Sequence, residues 1–149
     1  MTPPLPINSE RNGDDMKLRT VILATALLLV TTACGDDGNG AAPTKDLKIT
    51  AEDFKFGPAN WTVPAGEFNL TFTNGGMVEH EWAILNKGVH ITSEDEFSEE
   101  IVLTELEKVP PGGTETATFT IDEPGEYQVI CALDGHLNAG MTGTLTVVG

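Results

Sequence analysis

The sequence predicts an all-β domain over residues 47–149, a sandwich or a barrel, on three observations. Short stretches from Leu47 onward alternate apolar and polar residues with period two, which puts every second side chain on one face of a strand. Clusters of turn residues part these stretches: Pro64-Ala-Gly66, Pro110-Pro-Gly-Gly113 and Glu123-Pro-Gly125. The composition agrees, because 16 glycines, 9 prolines and 40% hydrophobic residues in 149 suit a turn-rich globular domain better than a disordered chain.

In chain order, Leu47, Ile49 and Ala51 mark the first strand, and Leu70 and Phe72 mark the next. Trp82 and Ile84 follow, then Ala117, Phe119 and Ile121, then Tyr127 and Val129, and last Leu145 and Val147. Six or seven strands are expected. The stretch 86–109 breaks the rhythm with Ser93-Glu-Asp-Glu-Phe-Ser-Glu-Glu100, a serine followed by acids that reads as an N-capped helical turn. A short helix or loop insertion is therefore expected around residues 92–107, its acids forming a hydrated face able to steer a basic partner.

The N-terminal third reads differently. Met16-Lys-Leu-Arg19 opens a run of apolar residues and threonines to Val30, a secretory signal pattern too short to span a bilayer, which takes about 20 such residues. A buried amphipathic helix would show polar positions every three to four residues, and 21–30 hardly do. The run ends in Thr31-Thr-Ala-Cys34 before Gly35-Asp-Asp-Gly-Asn-Gly40, which resembles a bacterial lipobox, with threonine at 31 where leucine is usual. That resemblance implies cleavage before Cys34, lipidation of Cys34 and a chain anchored at the extracytoplasmic face of the membrane. The expected organisation is a signal peptide over 1–33, a lipidated cysteine and flexible linker over 34–46, and the folded domain over 47–149. Residues 1–15 carry three prolines and three acids, unlike a signal's basic start, so translation is expected to begin at Met16.

The formal net charge is −15. Glu10, Asp14 and Asp15 cancel Arg11, Lys17 and Arg19 upstream of Cys34, so all of it travels with the mature protein. Such a chain repels phosphate backbones, which excludes nucleic acid and favours uncharged or basic protein partners.

Two cysteines in one secreted domain would ordinarily read as a disulfide. Here Cys34 closes the apolar run, whereas Cys131 begins Cys131-Ala-Leu-Asp-Gly-His136-Leu-Asn-Ala-Gly-Met141 between two expected strands. Thiolate, imidazole and thioether recur at five-residue intervals, and His80 adds a second imidazole. That set of four selects copper in an electron-transfer site. Taken singly, His80 would be a satisfied polar residue, Met141 core packing and Cys131 an inert thiol; their combination argues for metal. Strand parity supports the set, because His80 shares a face with Trp82 and Ile84, and Cys131 with Tyr127 and Val129. Gly135 and Gly140 each precede a ligand and permit the backbone angles of a tight reversal. His90 has no partner at ligand spacing.

With these residues in view, the domain resembles a cupredoxin, the plastocyanin and azurin superfamily. The likeness rests on Phe56-Gly-Pro, Val63-Pro-Ala-Gly66, Phe72-Thr-Asn74 ahead of His80, Gly125-Glu-Tyr127 ahead of Cys131, and Gly143-Thr-Leu-Thr-Val147. It implies a Greek-key β-sandwich and one type 1 copper, with His80, Cys131 and His136 as strong ligands and Met141 as the weak axial one. It also implies a non-enzymatic electron carrier serving redox protein partners, expected as a monomer. A copper-delivery role would use the same ligands. Many relatives have asparagine after the first histidine; Glu81 stands there instead. Asn74 and Glu81 are the expected supporting residues. His136 is the expected electron port, ringed by Leu133, Leu137 and Ala139.

Overall fold

Alternation from Leu47 to Ala51 builds the first strand, β1 (Asp46–Glu52), with its apolar residues all on one buried face in the computed structural model. The structure describes residues 42–149; the expected signal segment, Cys34 and most of the linker lie outside the described residues. A two-residue turn, Asp53-Phe54, returns the chain antiparallel as β2 (Lys55–Gly57). Then follow β3 (Asn60–Pro64), β4 (Gly66–Asn74), β5 (His80–Leu85), β6 (Val102–Val109), β7 (Thr114–Ile121), β8 (Gly125–Ile130) and β9 (Thr142–Val148). They form two sheets, ordered β2-β1-β4-β7 and β3-β9-β8-β5-β6. Strands β1 and β4 pair in parallel, as do β3 and β9, and the remaining ladders are antiparallel. The expected all-β Greek-key sandwich is the observed fold.

Between the sheets, Ile49, Leu70 and Phe72 face Trp61, Trp82, Val129 and Leu145 in one core. Trp82 binds the layers together. Its ring packs edge-on against Trp61 at 5.8 Å and tilted against Phe119 of the opposite sheet at 5.5 Å. These aromatics fill the space between sheets with offset geometry, which adds to the stabilisation from burial alone.

The five-stranded sheet is covered on both faces. Every residue of β5 is buried. Trp82 and Ile84 point into the main core, whereas Ala83 and Leu85 join Ile91, Ile130 and Leu137 in a second cluster on the outer face. Val89, Phe97 and Ile101 from the 86–101 excursion close that cluster.

The expectation for 92–107 needs correction. Its only helical residues form two single 3-10 turns, Glu94–Glu96 and Glu99–Ile101, and 102–107 belong to β6. The predicted cap is present: the Ser93 hydroxyl accepts the Asp95 N–H, and the Glu96 side chain accepts the Ser93 N–H. Strand β6 shows no clear alternation in the sequence because it is an edge strand whose Glu105, Glu107 and Lys108 keep it soluble and interrupt its apolar positions. With β2 and β3 also unanticipated, the strands among the described residues number nine in place of six or seven.

Candidate metal centre

The register of β5 against β8, Ala83 opposite Ile130, sets the start of β5 beside the exit of β8. His80 is the first residue of β5 and Cys131 immediately follows β8, so both project from the same end of the sandwich. From Cys131 the chain turns back on itself. The His136 N–H donates to Leu133 O, the Met141 N–H to His136 O at 2.9 Å, and the Cys131 N–H to Met141 O at 3.1 Å. Gly135 and Gly140 have φ of +85° and +101°, the left-handed conformation that side chains rarely adopt, as their positions predict.

This folding brings three donors together. His80 Nδ1 lies 3.3 Å from His136 Nδ1, which lies 3.1 Å from Cys131 Sγ, and the three ligand atoms all fall within 4.8 Å of one another. Two ligands each about 2.0–2.3 Å from a single ion can be no more than about 4.6 Å apart, a condition both short separations meet. His80 and Cys131 are fully buried and His136 is 8% exposed. Two imidazoles and a thiol of this kind fit copper. Met141 is buried in the same cluster as Cys131.

Burial pushes the Cys131 thiol above its ordinary value and, together with the neighbouring His136, pulls His80 below its own. His80 is thus held neutral, the form that donates a lone pair. Cys131 needs a metal to become thiolate, so binding releases its proton. The Glu81 backbone N–H already donates to Cys131 Sγ at 3.3 Å and would stabilise that anion.

Around the ligands, Asn74 is fully buried and ties together the loop that carries His80. Its Nδ2 donates to Val78 O at 2.7 Å and to Val109 O at 2.8 Å, and its Oδ1 accepts the Gly76 N–H at 2.8 Å. The Glu81 side chain, 9% exposed, takes no such part. Burial, and next Glu105, raise its carboxyl above the usual range, and it lines a shallow cavity with Glu99, Lys108, Ala132, Leu133 and Asp134.

Three contributors had no signal in the sequence. Asp53 Oδ1 lies 3.6 Å from His80 Nε2, and the Phe54 ring meets the His136 ring edge-on. Glu94, which the sequence places on a hydrated face, accepts the Gly135 N–H at 2.9 Å and the Asn138 N–H at 3.3 Å, bracing the ligand loop. Each is distant in sequence from what it touches, and no spacing rule reaches that far.

The expected rim of the port is corrected at Leu137, which is 5% exposed and packs into the outer cluster. Leu133 is half-buried and Ala139 exposed, while Phe54, Met77 and Val78 supply exposed apolar surface on the loops beside His80 and His136. His90 lies outside the three-ligand cluster and is exposed.

Comparison with known proteins agrees with this geometry. The iron uptake system component EfeO of Yersinia pestis is 33% identical over 127 residues, 85% of this chain but only 30% of that protein's length. The copper-resistant cuproprotein CopI of Rubrivivax gelatinosus is 26% identical over 125 residues, 78% of this chain and 74% of CopI. Reduced auracyanin of Roseiflexus castenholzii superposes with a TM-score of 0.63 at 24% identity, over 72% of this chain and 100% of that one. Auracyanin A of Chloroflexus aurantiacus, a "blue" copper protein, does so with 0.57 at 24% identity, over 71% and 99%. At those identities the two structures speak for the fold. The model of the cupredoxin-like domain matches residues 20–147, so the chain belongs to the cupredoxin-like family, and His80, Cys131 and His136 are positioned as its copper site.

Proposed function

We propose that this protein carries single electrons on one type 1 copper, held by His80 Nδ1, His136 Nδ1 and Cys131 Sγ, with the Met141 thioether as a weak fourth ligand. The observation that carries this reading is the convergence of the three donor atoms in a buried pocket beneath a closed loop. Copper held there would supply one-electron chemistry between its Cu(I) and Cu(II) states. The chain's part is to keep the ligands in place through both states. Cys131 is fixed by the Glu81 N–H at sulfur and by Met141 O at its own N–H, and β5 fixes His80, so little has to move. Burial of Cys131 keeps water and oxidants from the sulfur. His136 is the proposed port, with Phe54 and Leu133 in its rim.

The proposed setting is the extracytoplasmic membrane face, with Cys34 lipidated, the protein monomeric and its partners redox proteins. Release of a Cys34→Ser variant into the soluble extracytoplasmic fraction would support the anchor; unchanged membrane retention would refute it. The test of the centre is the visible spectrum of the Cu(II)-loaded protein. Intense thiolate-to-copper charge-transfer absorption is expected, and Cys131→Ser should abolish it. A colourless protein, or colour that survives Cys131→Ser, overturns the reading. The likeness to CopI favours a second reading, copper binding with exchange of the metal. Release to a chelator within minutes, in place of stable retention, would favour it.

A further inference from the structure

Among the described residues, three buried side-chain nitrogens lack a hydrogen-bond partner: the indole nitrogens of Trp61 and Trp82, and His80 Nε2. The first two belong to core aromatics. The third is the far side of a metal ligand, and its chemistry is constrained. A histidine that gives its Nδ1 lone pair to a metal must carry its proton on Nε2, and a buried N–H without an acceptor costs about 1–3 kcal/mol.

One acceptor stands near. Asp53 Oδ1 lies 3.6 Å from His80 Nε2, beyond hydrogen-bond length by a few tenths of an ångström. The same oxygen accepts the Met77 N–H at 2.8 Å, which anchors the carboxylate to the loop just before His80 and holds it ionised. A carboxylate oxygen has a second lone pair free for another donor. The approach is possible only because residue 76 is glycine: a Cβ there would sit 2.4 Å from Asp53 Oδ1 and 2.8 Å from His80 Nε2. Gly76 thus leaves open the line between carboxylate and imidazole.

We propose that Asp53 is a positioning residue of the metal centre, its carboxylate closing on His80 Nε2–H to fix the tautomer that presents Nδ1 to the metal. The inference builds on the three-ligand site but not on the identity of the metal or on electron transfer. Asp53 is the first residue of the turn between β1 and β2, on a side chain with 38% of its surface exposed, so a small rotation about its own torsions suffices. Hydrogen bonding of a ligand imidazole to a carboxylate raises its basicity and steadies its ring. The added negative charge also favours Cu(II) over Cu(I).

The test compares the full chain with Asp53→Asn, which keeps an acceptor oxygen without charge, and Asp53→Ala, which removes both. For Zn(II) and Cu(II), Asp53→Ala should lose about 10–100-fold in affinity, with Asp53→Asn losing less. In the Zn(II)-loaded protein the His80 Nε2–H should give a nitrogen-15 NMR signal protected from solvent exchange, retained in Asp53→Asn and lost in Asp53→Ala. The copper reduction potential should rise in both variants. Unchanged affinity and an unchanged, protected Nε2–H signal in Asp53→Ala would overturn the assignment. The Zn(II) results stand apart from the electron-carrier reading: a colourless Cu(II) protein whose His80 Nε2–H still depends on Asp53 would sink that reading and sustain this one.

Discussion

The ring of Phe54 meets the ring of His136 edge-on, with centroids 5.2 Å apart and planes at 86°. Phe54 does this from φ +62°, the left-handed region, where a non-glycine residue pays strain of about 1–3 kcal/mol. A two-residue turn asks for glycine there, and Phe54 is 43% exposed, so little burial offsets the strain. Covering His136 is the evident return. Phe54→Gly is accordingly expected to leave the melting temperature equal or higher, yet to speed copper loss to a chelator severalfold. A fall in melting temperature with unchanged metal loss would mean that Phe54 serves folding alone.

Asn74 gives the opposite expectation. Its side chain satisfies two backbone carbonyls and one N–H inside the protein. Asn74→Ala strands all three, at about 1 kcal/mol or more apiece, and should cost about 2–4 kcal/mol in urea unfolding. Because Val78 and Gly76 lie in the loop leading to His80, copper affinity should fall as well. A variant with wild-type unfolding would show that water replaces the amide.

Leu137 separates two accounts of the loop. As an exposed rim residue it would accept lysine and lose only partner contact. Packed at 5% exposure against Ile91 and Ile130, Leu137→Lys must bury an ammonium or pull the loop outward. Destabilisation of about 2–4 kcal/mol in the copper-free protein is expected. A melting temperature within a degree or two of the unaltered protein's would return Leu137 to the surface.

Leu137 also marks where sequence reasoning ends. Inside strands, period two grouped Trp82 with Ile84, and Tyr127 with Val129 and Cys131, and all five lie in the main core. Beyond Cys131 the backbone is a series of turns with no period, so donor types and spacing could nominate His136 and Met141 but not say which way Leu137 points. Full burial of β5 hid its alternation, and polar edge residues hid β6. Asp53, Phe54 and Glu94 reach the site through tertiary contacts across 24 residues or more, of which Asp53 to Met77 is one. Only the folded chain reveals them.

Glu94 supplies a prediction in pH. The Gly135 N–H is the main cause that holds its carboxyl below the ordinary 4.5; desolvation opposes it, and the N–H groups of Asn138 and Leu137 add to the lowering. For a carboxyl lowered by folding, the stabilisation is complete above the unfolded value and vanishes as pH falls through the folded one. The brace on the ligand loop should therefore be intact at neutral pH and released only below the ordinary glutamate range. Hydrogen-exchange protection factors of the Gly135 and Asn138 amides in the copper-free protein should drop on acidification below the ordinary glutamate range, while those of β4 and β8 persist. Glu94→Gln should lower the two loop values at neutral pH and remove their acid dependence. Loop protection that survives acid in the unaltered protein would show that the turns hold the loop without Glu94, and that its bonds to Gly135 and Asn138 add nothing measurable.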